Sequence, residues 1–469
     1  MLLAIGAAGM SLLTAWVLVT RGPTAAAALA LLPALALGIV YLVTSGQVLL
    51  WAAAVALPFW LWPVFGDPLG GNVYPQDVVA VLALGALLFA LFLGHDKLSI
   101  PRTPVLGWPF VVFAVVILSA TLRGHYAYGA SVIGQPLRLF LYASIVAGLI
   151  GMTVPRMHRV LVILFYPGAV LAALGSAQFL ATGGVGAAAL STGGNRPIPI
   201  TISIFCAGTL FLALLNLRIA RDLRARVLHL AMAGIAFFGV LAGFGRSTWV
   251  GVALVCVVLF ATSPRLRANA LSILPLAAPF LVLIAIGVSQ AAPGFVSNVG
   301  SRVGRTSEND INVRFRIEAN RLILDQAREH PVFGVGFGKT TELLLAIPDP
   351  TSGVPSLERI TLGQDPHNGY VFLLAGGGIL ALGSFAALVA VFAYDVRRRY
   401  RRTSDPIARL ILLWTSSMLF LFLLTAASGT TFEATHSVLM IWALLVLPAI
   451  VRPDADREPV LVAPRTAAG

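Results

Sequence analysis

Three residues of this chain could carry out chemistry in water: His367 and Arg246 sit where an apolar run breaks, and Arg316 lies in a hydrophilic stretch. His367, in Asp365-Pro366-His367-Asn368, stands directly before one such run. An imidazole at a helix start, at the water interface, can remove a proton from a hydroxyl as a general base. The same four residues can equally form a polar helix cap, with Asp365 or Asn368 supplying the capping oxygen. Arg246, in Gly243-Phe244-Gly245-Arg246-Ser247, separates two apolar runs. An arginine at membrane depth costs roughly 2.5 kcal/mol or more unless it faces water or a partner, which marks it for function. A short outer turn with a snorkelling side chain is the other reading. Arg138, in Gln135-Pro136-Leu137-Arg138, is a weaker case of the same kind.

Arg316 is set apart by its neighbours. The stretch Asn312 to His330 reads as a helix ended by Pro331, with Phe315, Ala319, Leu322 and Ile323 giving an apolar face at helical spacing. Its other arginines have carboxylates one turn away: Arg314 has Glu318, Arg321 has Glu318 and Asp325, and Arg328 has Asp325. At three and four residues from Arg316 stand Val313, Ala319, Asn312 and Asn320. With no carboxylate at helical spacing, its guanidinium is the one best placed to take an external anion. A solvated arginine on an exposed helix face is the alternative.

The elements that must position these residues are apolar. With 58% hydrophobic and 11% charged residues, the chain repeats runs long enough to span a bilayer, which takes about 20 mostly apolar residues. Clear runs are Leu2 to Thr20, Thr24 to Thr44, Gln76 to Gly94, Val105 to Leu122, Val160 to Thr182, Ile198 to Leu217, Leu271 to Ser289, Asn368 to Tyr394, Ile407 to Ser428 and His436 to Val451. Shorter ones lie near Val48 to Phe65, Leu137 to Met152, Val227 to Phe244 and Thr248 to Thr262. The expectation is an all-α polytopic membrane protein of about 12–14 transmembrane helices, since lipid offers no partner to free backbone groups. The first run resembles a signal peptide, but it lacks a basic start and a clear cleavage site and reads as the first helix.

One hydrophilic stretch interrupts this pattern. Gln290 to His367 holds nine of the nineteen Asp and Glu residues against eight Lys and Arg. The expected layout is a transmembrane bundle over 1–289, which includes the Arg246 turn, a large loop with an amphipathic helix over 290–367, further transmembrane helices over 368–451, and a tail over 452–469. Because this loop is close to neutral, the net charge of +13 lies elsewhere. It falls in short connections: Arg156 and Arg159; Arg218, Arg221, Arg224 and Arg226; Arg265 and Arg267; and Arg397, Arg398, Arg399, Arg401 and Arg402. With 14 spans all four fall on one side, which the positive-inside rule makes cytoplasmic. The connection at Arg123, the Arg246 turn, the long loop and Gly429 to Thr435 then face outside, both termini face the cytoplasm, and the placement of the charge in short membrane connections speaks against nucleic acid as the partner.

Other features of the chain read as structural. Phe333-Gly334-Val335-Gly336-Phe337-Gly338-Lys339-Thr340 invites a phosphate-loop reading, but a Walker loop requires glycine where this chain has Phe333, and no strand leads into it. It reads as a flexible turn. Cys206 and Cys256 lie inside apolar runs and read as packing residues, not as a disulfide or metal pair. Gly183 to Asn195 reads as an outer loop, and Gly376 to Gly383 as a close-packing helix surface.

Taken together the motifs resemble the O-antigen ligase and polymerase superfamily. Gly245-Arg246-Ser247-Thr248-Trp249-Val250-Gly251 is similar to its arginine turn. Arg316-Ile317-Glu318, followed by His330-Pro331-Val332-Phe333-Gly334-Val335-Gly336, is similar to its arginine-led helix and glycine turn. His367-Asn368-Gly369-Tyr370 is similar to its histidine helix start. Departures are Asn320, where an aromatic is usual, and Gly245, where a serine is usual. The resemblance implies a GT-C-like fold with one large extracytoplasmic (periplasmic) loop in the bacterial cytoplasmic (inner) membrane. It implies an inverting, metal-independent glycosyltransferase acting outside that membrane. The donor would be a glycan on polyprenyl (undecaprenyl) diphosphate, and the acceptor a sugar hydroxyl on a lipid-anchored core or another glycan. Membrane lipids are the surrounding partners, and no cofactor is implied. His367, Arg246 and Arg316 carry the implied catalytic roles, with Arg314, Asn368, Arg138 and Tyr370 as substrate-binding residues. An exopolysaccharide polymerase of the same superfamily and, from another class, a polysaccharide transporter or flippase are the competing readings. A transporter keeps its polar residues near the membrane midplane in broken helices.

Overall fold

A computed structural model describes residues 103–129, 200–243, 245–273, 311–339, 341–348, 355–362, 367–429 and 435–451, with a few isolated helical positions elsewhere. Arg138, Arg156, Arg159, Asp365, the Gly183 to Asn195 stretch, the 452–469 tail and the spans expected before residue 103 lie outside the described residues. The described chain runs α1 (Trp108–Tyr128), α2 (Ile200–Ile219), α3 (Leu223–Ala242), α4 (Arg246–Thr262), α5 (Pro264–Ile273), α6 (Ile311–Glu329), β1 (Thr341–Pro348), β2 (Pro355–Leu362), α7 (Gly369–Arg402), α8 (Pro406–Ala426) and α9 (Thr435–Val446). The protein is an all-α polytopic membrane protein in its apolar part. By length and composition α1, α3, α7 and α8 can each cross a membrane, and α4 reaches that length only together with α5, which bends from it by 102°.

Helix α1 shows why these segments fit lipid. It exposes Val111, Val112, Val115, Leu118 and Leu122 along one side while Phe113, Ala114, Ile117 and Ala120 are buried on the other. Apolar side chains on both faces are stable only where one face meets protein and the other meets acyl chains. Trp108 and Tyr126, 81% and 85% exposed, stand near its two ends, where aromatic side chains suit a membrane–water interface.

Small residues let the helices approach. A Cβ at Gly239 of α3 would stand 2.6 Å from Cys206 Sγ of α2, and one at Gly251 of α4 would stand 2.6 Å from Leu421 Cδ1 of α8. Gly208 of α2 faces Met418 and Trp414 of α8, and the Trp414 indole N–H donates to the Gly208 carbonyl at 2.8 Å. Such small-residue contacts replace the hydrophobic drive that lipid removes. Cys206 is fully buried and Cys256 half-buried, both unbridged, as packing residues.

The direction of each helix fixes two ends of the bundle. At one end Asn269 of α5 donates to the Leu217 and Ala220 carbonyls at 2.8 and 3.3 Å, joining the connections that carry Arg218 to Arg226 and Arg265 with Arg267. The far end of α7, with the run Arg397 to Arg402, meets the close of the last helix there: Arg399 pairs with Asp395 at 2.9 Å and donates to the Val451 carbonyl at 2.7 Å. At the opposite end lie the last turn of α1, the α3–α4 turn, the start of α7 and the end of α8.

The fold departs from the sequence reading at Arg123 and within the large loop. Arg123 is in the last turns of α1, which continues to Tyr128, and so belongs to a helix instead of a connection. The large loop contains, besides α6, an antiparallel hairpin in which Thr341 pairs with Leu362 and Pro348 with Pro355.

Candidate functional site

Helix α6 is placed by its apolar face. Ala319 and Ile323 are buried, and Ile323 with Ala327 packs on Val371 and Ala375 of α7. The expected face at Phe315, Ala319, Leu322 and Ile323 is therefore the one that docks, with Phe315 and Leu322 half-buried at its margins. Docking brings the first half of α6 to the start of α7: the rings of Phe315 and His367 lie 6.0 Å apart, tilted by 57°. Next to Phe315, Arg316 is exposed and its Nη1 donates to the Ser428 carbonyl, just past the end of α8, at 3.1 Å. That acceptor is a backbone oxygen 112 residues away. Arg328 pairs with Asp325 at 2.6 Å, as the spacing predicts.

The cap and the histidine divide their work. Asn368 is the N-cap of α7, its side-chain oxygen accepting from the Tyr370 and Val371 N–H groups at 3.1 and 3.3 Å. His367 is left outside the helix with φ of 50°, the one non-glycine residue at positive φ among the described residues. A left-handed side chain costs about 1–2 kcal/mol, and such strain gathers at functional positions. Tyr370 donates its hydroxyl to the Leu423 carbonyl at 2.7 Å, which ties the start of α7 to the last turn of α8. Arg314 lies in the first turn of α6.

Arg246 reaches the same end by a separate route. It is the first residue of α4 and half-buried, after Gly245, which as N-cap supplies no side-chain acceptor. The Trp249 indole N–H donates to the Val240 carbonyl at 3.2 Å and closes the tight α3–α4 turn. Because Gly251 packs on Leu421 and Leu424, the beginning of α4 stands beside the end of α8, where Ser428 meets Arg316. The free N–H groups at a helix start add a positive partial charge to that of the guanidinium.

What holds this end together is the turn after α6. Gly334, Gly336 and Gly338 have φ of 69°, 92° and 98°, values that favour glycine. The turn wedges between α1 and α7. Val335 and Gly336 donate to the Ala375 and Gly376 carbonyls, Ile379 and Leu380 donate back to those of Pro331 and Val332, and Phe337 donates to Ala120 of α1. These bonds occupy the backbone groups freed where α7 breaks at Gly378, with φ of 67° and ψ of −166°. Contact is close enough that a Cβ at Gly124 would fall 1.6 Å from the Phe337 carbonyl oxygen, and one at Gly378 would fall 2.2 Å from that of Val332. The segment expected as a flexible turn is therefore tightly packed. The Gly376 to Gly383 surface does pack closely at Gly376 and Gly378, against this turn.

Arg123 is the residue that sequence reasoning missed here. Its Nη1 donates to the Gly334 carbonyl at 2.8 Å, its Nη2 donates to that of Phe333, and its guanidinium lies 5.7 Å from the Phe333 ring centre. Tyr128 adds a bond from its hydroxyl to the Val335 carbonyl at 3.1 Å. Three consecutive carbonyls of the wedge are thus held by α1. A signal was present in the lone arginine at the end of an apolar run, but nothing in the sequence names its partner.

Among the described residues no group of three or more His, Cys, Asp or Glu is placed to hold a metal ion. Arg246 and Arg316 stand on two elements that meet at the end of α8. A guanidinium suits a phosphate, and an imidazole suits a hydroxyl proton.

No curated protein matches the chain. Residues 231–386, about a third of its length, match the family model described as O-antigen ligase. Arg246, Arg316, the glycine wedge and His367 all fall inside that match, so it is this stretch that is similar to the O-antigen ligase family.

Proposed function

We propose that the protein is a glycosyltransferase of the O-antigen ligase type, working on the outer side of the bacterial cytoplasmic membrane. Its donor is a glycan on polyprenyl diphosphate, and its acceptor is a sugar hydroxyl. The observation that carries this reading is the meeting of α6, the start of α7, the start of α4 and the end of α8 at the end opposite the basic connections. By the positive-inside rule the basic end faces the cytoplasm, so His367, Arg246 and Arg316 face outward.

The reaction is a single displacement with inversion. The acceptor oxygen forms a bond to the anomeric carbon as the bond from that carbon to the diphosphate oxygen breaks. His367 takes the acceptor's proton, and the polyprenyl diphosphate leaves with the electron pair and one more negative charge. Arg246 and Arg316 stabilise that charge by charge-assisted hydrogen bonds, helped by the N-terminus of α4. A guanidinium, whose planar fork matches phosphate oxygens, does this without a metal ion. Arg314 and Arg138 support the anion, and Asn368 and Tyr370 fix the start of α7 beneath it.

Incubating the purified protein with a polyprenyl-diphosphate glycan and candidate acceptors tests the reading. Transfer to a lipid-anchored core identifies a ligase and growth of the lipid-linked glycan a polymerase. Movement of the intact donor across a vesicle membrane without transfer identifies a flippase and removes the proposal.

A further inference from the structure

The end of the bundle opposite the site holds a surface that the transfer reaction does not use. There α5 turns 102° away from α4 and lies across the bundle axis instead of along it. Leu266 and Ile273 are buried beneath it, whereas Arg265, Arg267 and Leu271 are exposed, Leu271 by 64%. It is locked to the α2–α3 connection by the two bonds of Asn269 and by Arg226, whose Nη1 donates to Ser272 Oγ at 3.3 Å. That connection presents Arg221 and Arg224 to solvent, with Arg218 half-buried, beside Leu223 and Leu228, 55% and 59% exposed. The one carboxylate within it, Asp222, caps α3 by accepting from the Ala225 N–H at 2.7 Å.

We propose that this platform binds the headgroups of anionic phospholipids. Arg221, Arg224, Arg265 and Arg267 would meet the phosphates, while Leu223, Leu228 and Leu271 enter the acyl region. Charge complementarity and depth in the membrane both favour such a ligand. A helix across the axis at the end of a spanning bundle lies in the plane of the headgroups, and basic side chains with exposed leucines on one such element are the composition that holds interfacial helices on anionic membranes. A neutral headgroup would leave the arginines without counter-charges. The proposal is independent of the transfer reaction.

The test uses the full-length protein in bilayer discs of mixed phosphatidylcholine and phosphatidylglycerol, with the ratio of the two lipids retained on release read by native mass spectrometry. Replacing Arg221, Arg224, Arg265 and Arg267 by Gln should lower the preference for phosphatidylglycerol by about tenfold. The same change at Arg397, Arg398, Arg401 and Arg402 should leave most of it. In the wild-type protein the preference should fall as salt is raised, since screening weakens exposed charges, and this arm stands even if the fourfold variant does not fold. Equal losses in both fourfold variants would reduce the effect to net charge and overturn the proposal. So would a preference indifferent to salt, or displacement of phosphatidylglycerol by inorganic phosphate alone, which would mark a free-anion site.

Discussion

Arg316 and Arg321 lie five residues apart on one helix, yet only the first reaches the end of α8. If Arg316 contacts the departing diphosphate, Arg316→Ala should lower the transfer rate on the order of 100-fold, the value of one charge-assisted contact worth about 3 kcal/mol. Arg321→Ala and Arg328→Ala at equal expression should cost little, because exposed pairs such as Arg328 with Asp325 contribute about 0–1 kcal/mol. Arg316→Lys should rescue in part, since an ammonium lacks the two-pronged fork. His367→Ala should be at least as damaging as Arg316→Ala. A rate assay in which Arg316→Ala and Arg321→Ala are equal would leave α6 with a packing role only. Arg316 was set apart in the sequence by the absence of a carboxylate at helical spacing. Its partner was not, because a carbonyl 112 residues away leaves no trace in local pattern.

At the scale of elements, the wedge after α6 is the joint on which the site depends. Adding a methyl group at Gly378 meets both a left-handed φ of 67° and the Val332 carbonyl, whereas nothing lies within 4 Å of a Cβ at Gly383. Gly378→Ala should therefore lower the thermal unfolding midpoint markedly or prevent accumulation of folded protein, and Gly383→Ala should leave the midpoint unchanged or slightly raised. Equal midpoints would show that the turn does not sit against α7. Arg123→Ala should lower the midpoint less than Gly378→Ala, because the backbone bonds of the wedge to α7 and Ala120 remain. Helices with a regular period were readable in advance, and α6 falls at Ile311–Glu329 against an expected Asn312 to His330. The wedge was misread because glycine announces freedom in sequence, and only packing decides whether that freedom serves a loose turn or a close approach. The hairpin was missed because Thr341 to Pro348 has adjacent leucines in place of strict alternation.

For the whole molecule, the account rests on which end of the bundle faces which compartment. Cysteine labelling from outside intact cells should reach substitutions at Ser352 to Ser356, between or in the strands of the hairpin, and should miss substitutions at Arg397 to Arg402. The reverse pattern would invert the site. Composition and hydropathy made the membrane class plain, since long apolar runs in lipid permit few structures. They did not reveal the bend between α4 and α5, because the run Thr248 to Thr262 looks alike whether the next residues cross or lie flat. The most direct test of the central claim is transfer of a polyprenyl-diphosphate glycan by the purified protein in excess EDTA, compared with its Arg316→Ala variant. The account predicts full transfer by the wild-type protein and a loss on the order of 100-fold in the variant. Loss of wild-type transfer in EDTA, restored by a divalent ion, would contradict it.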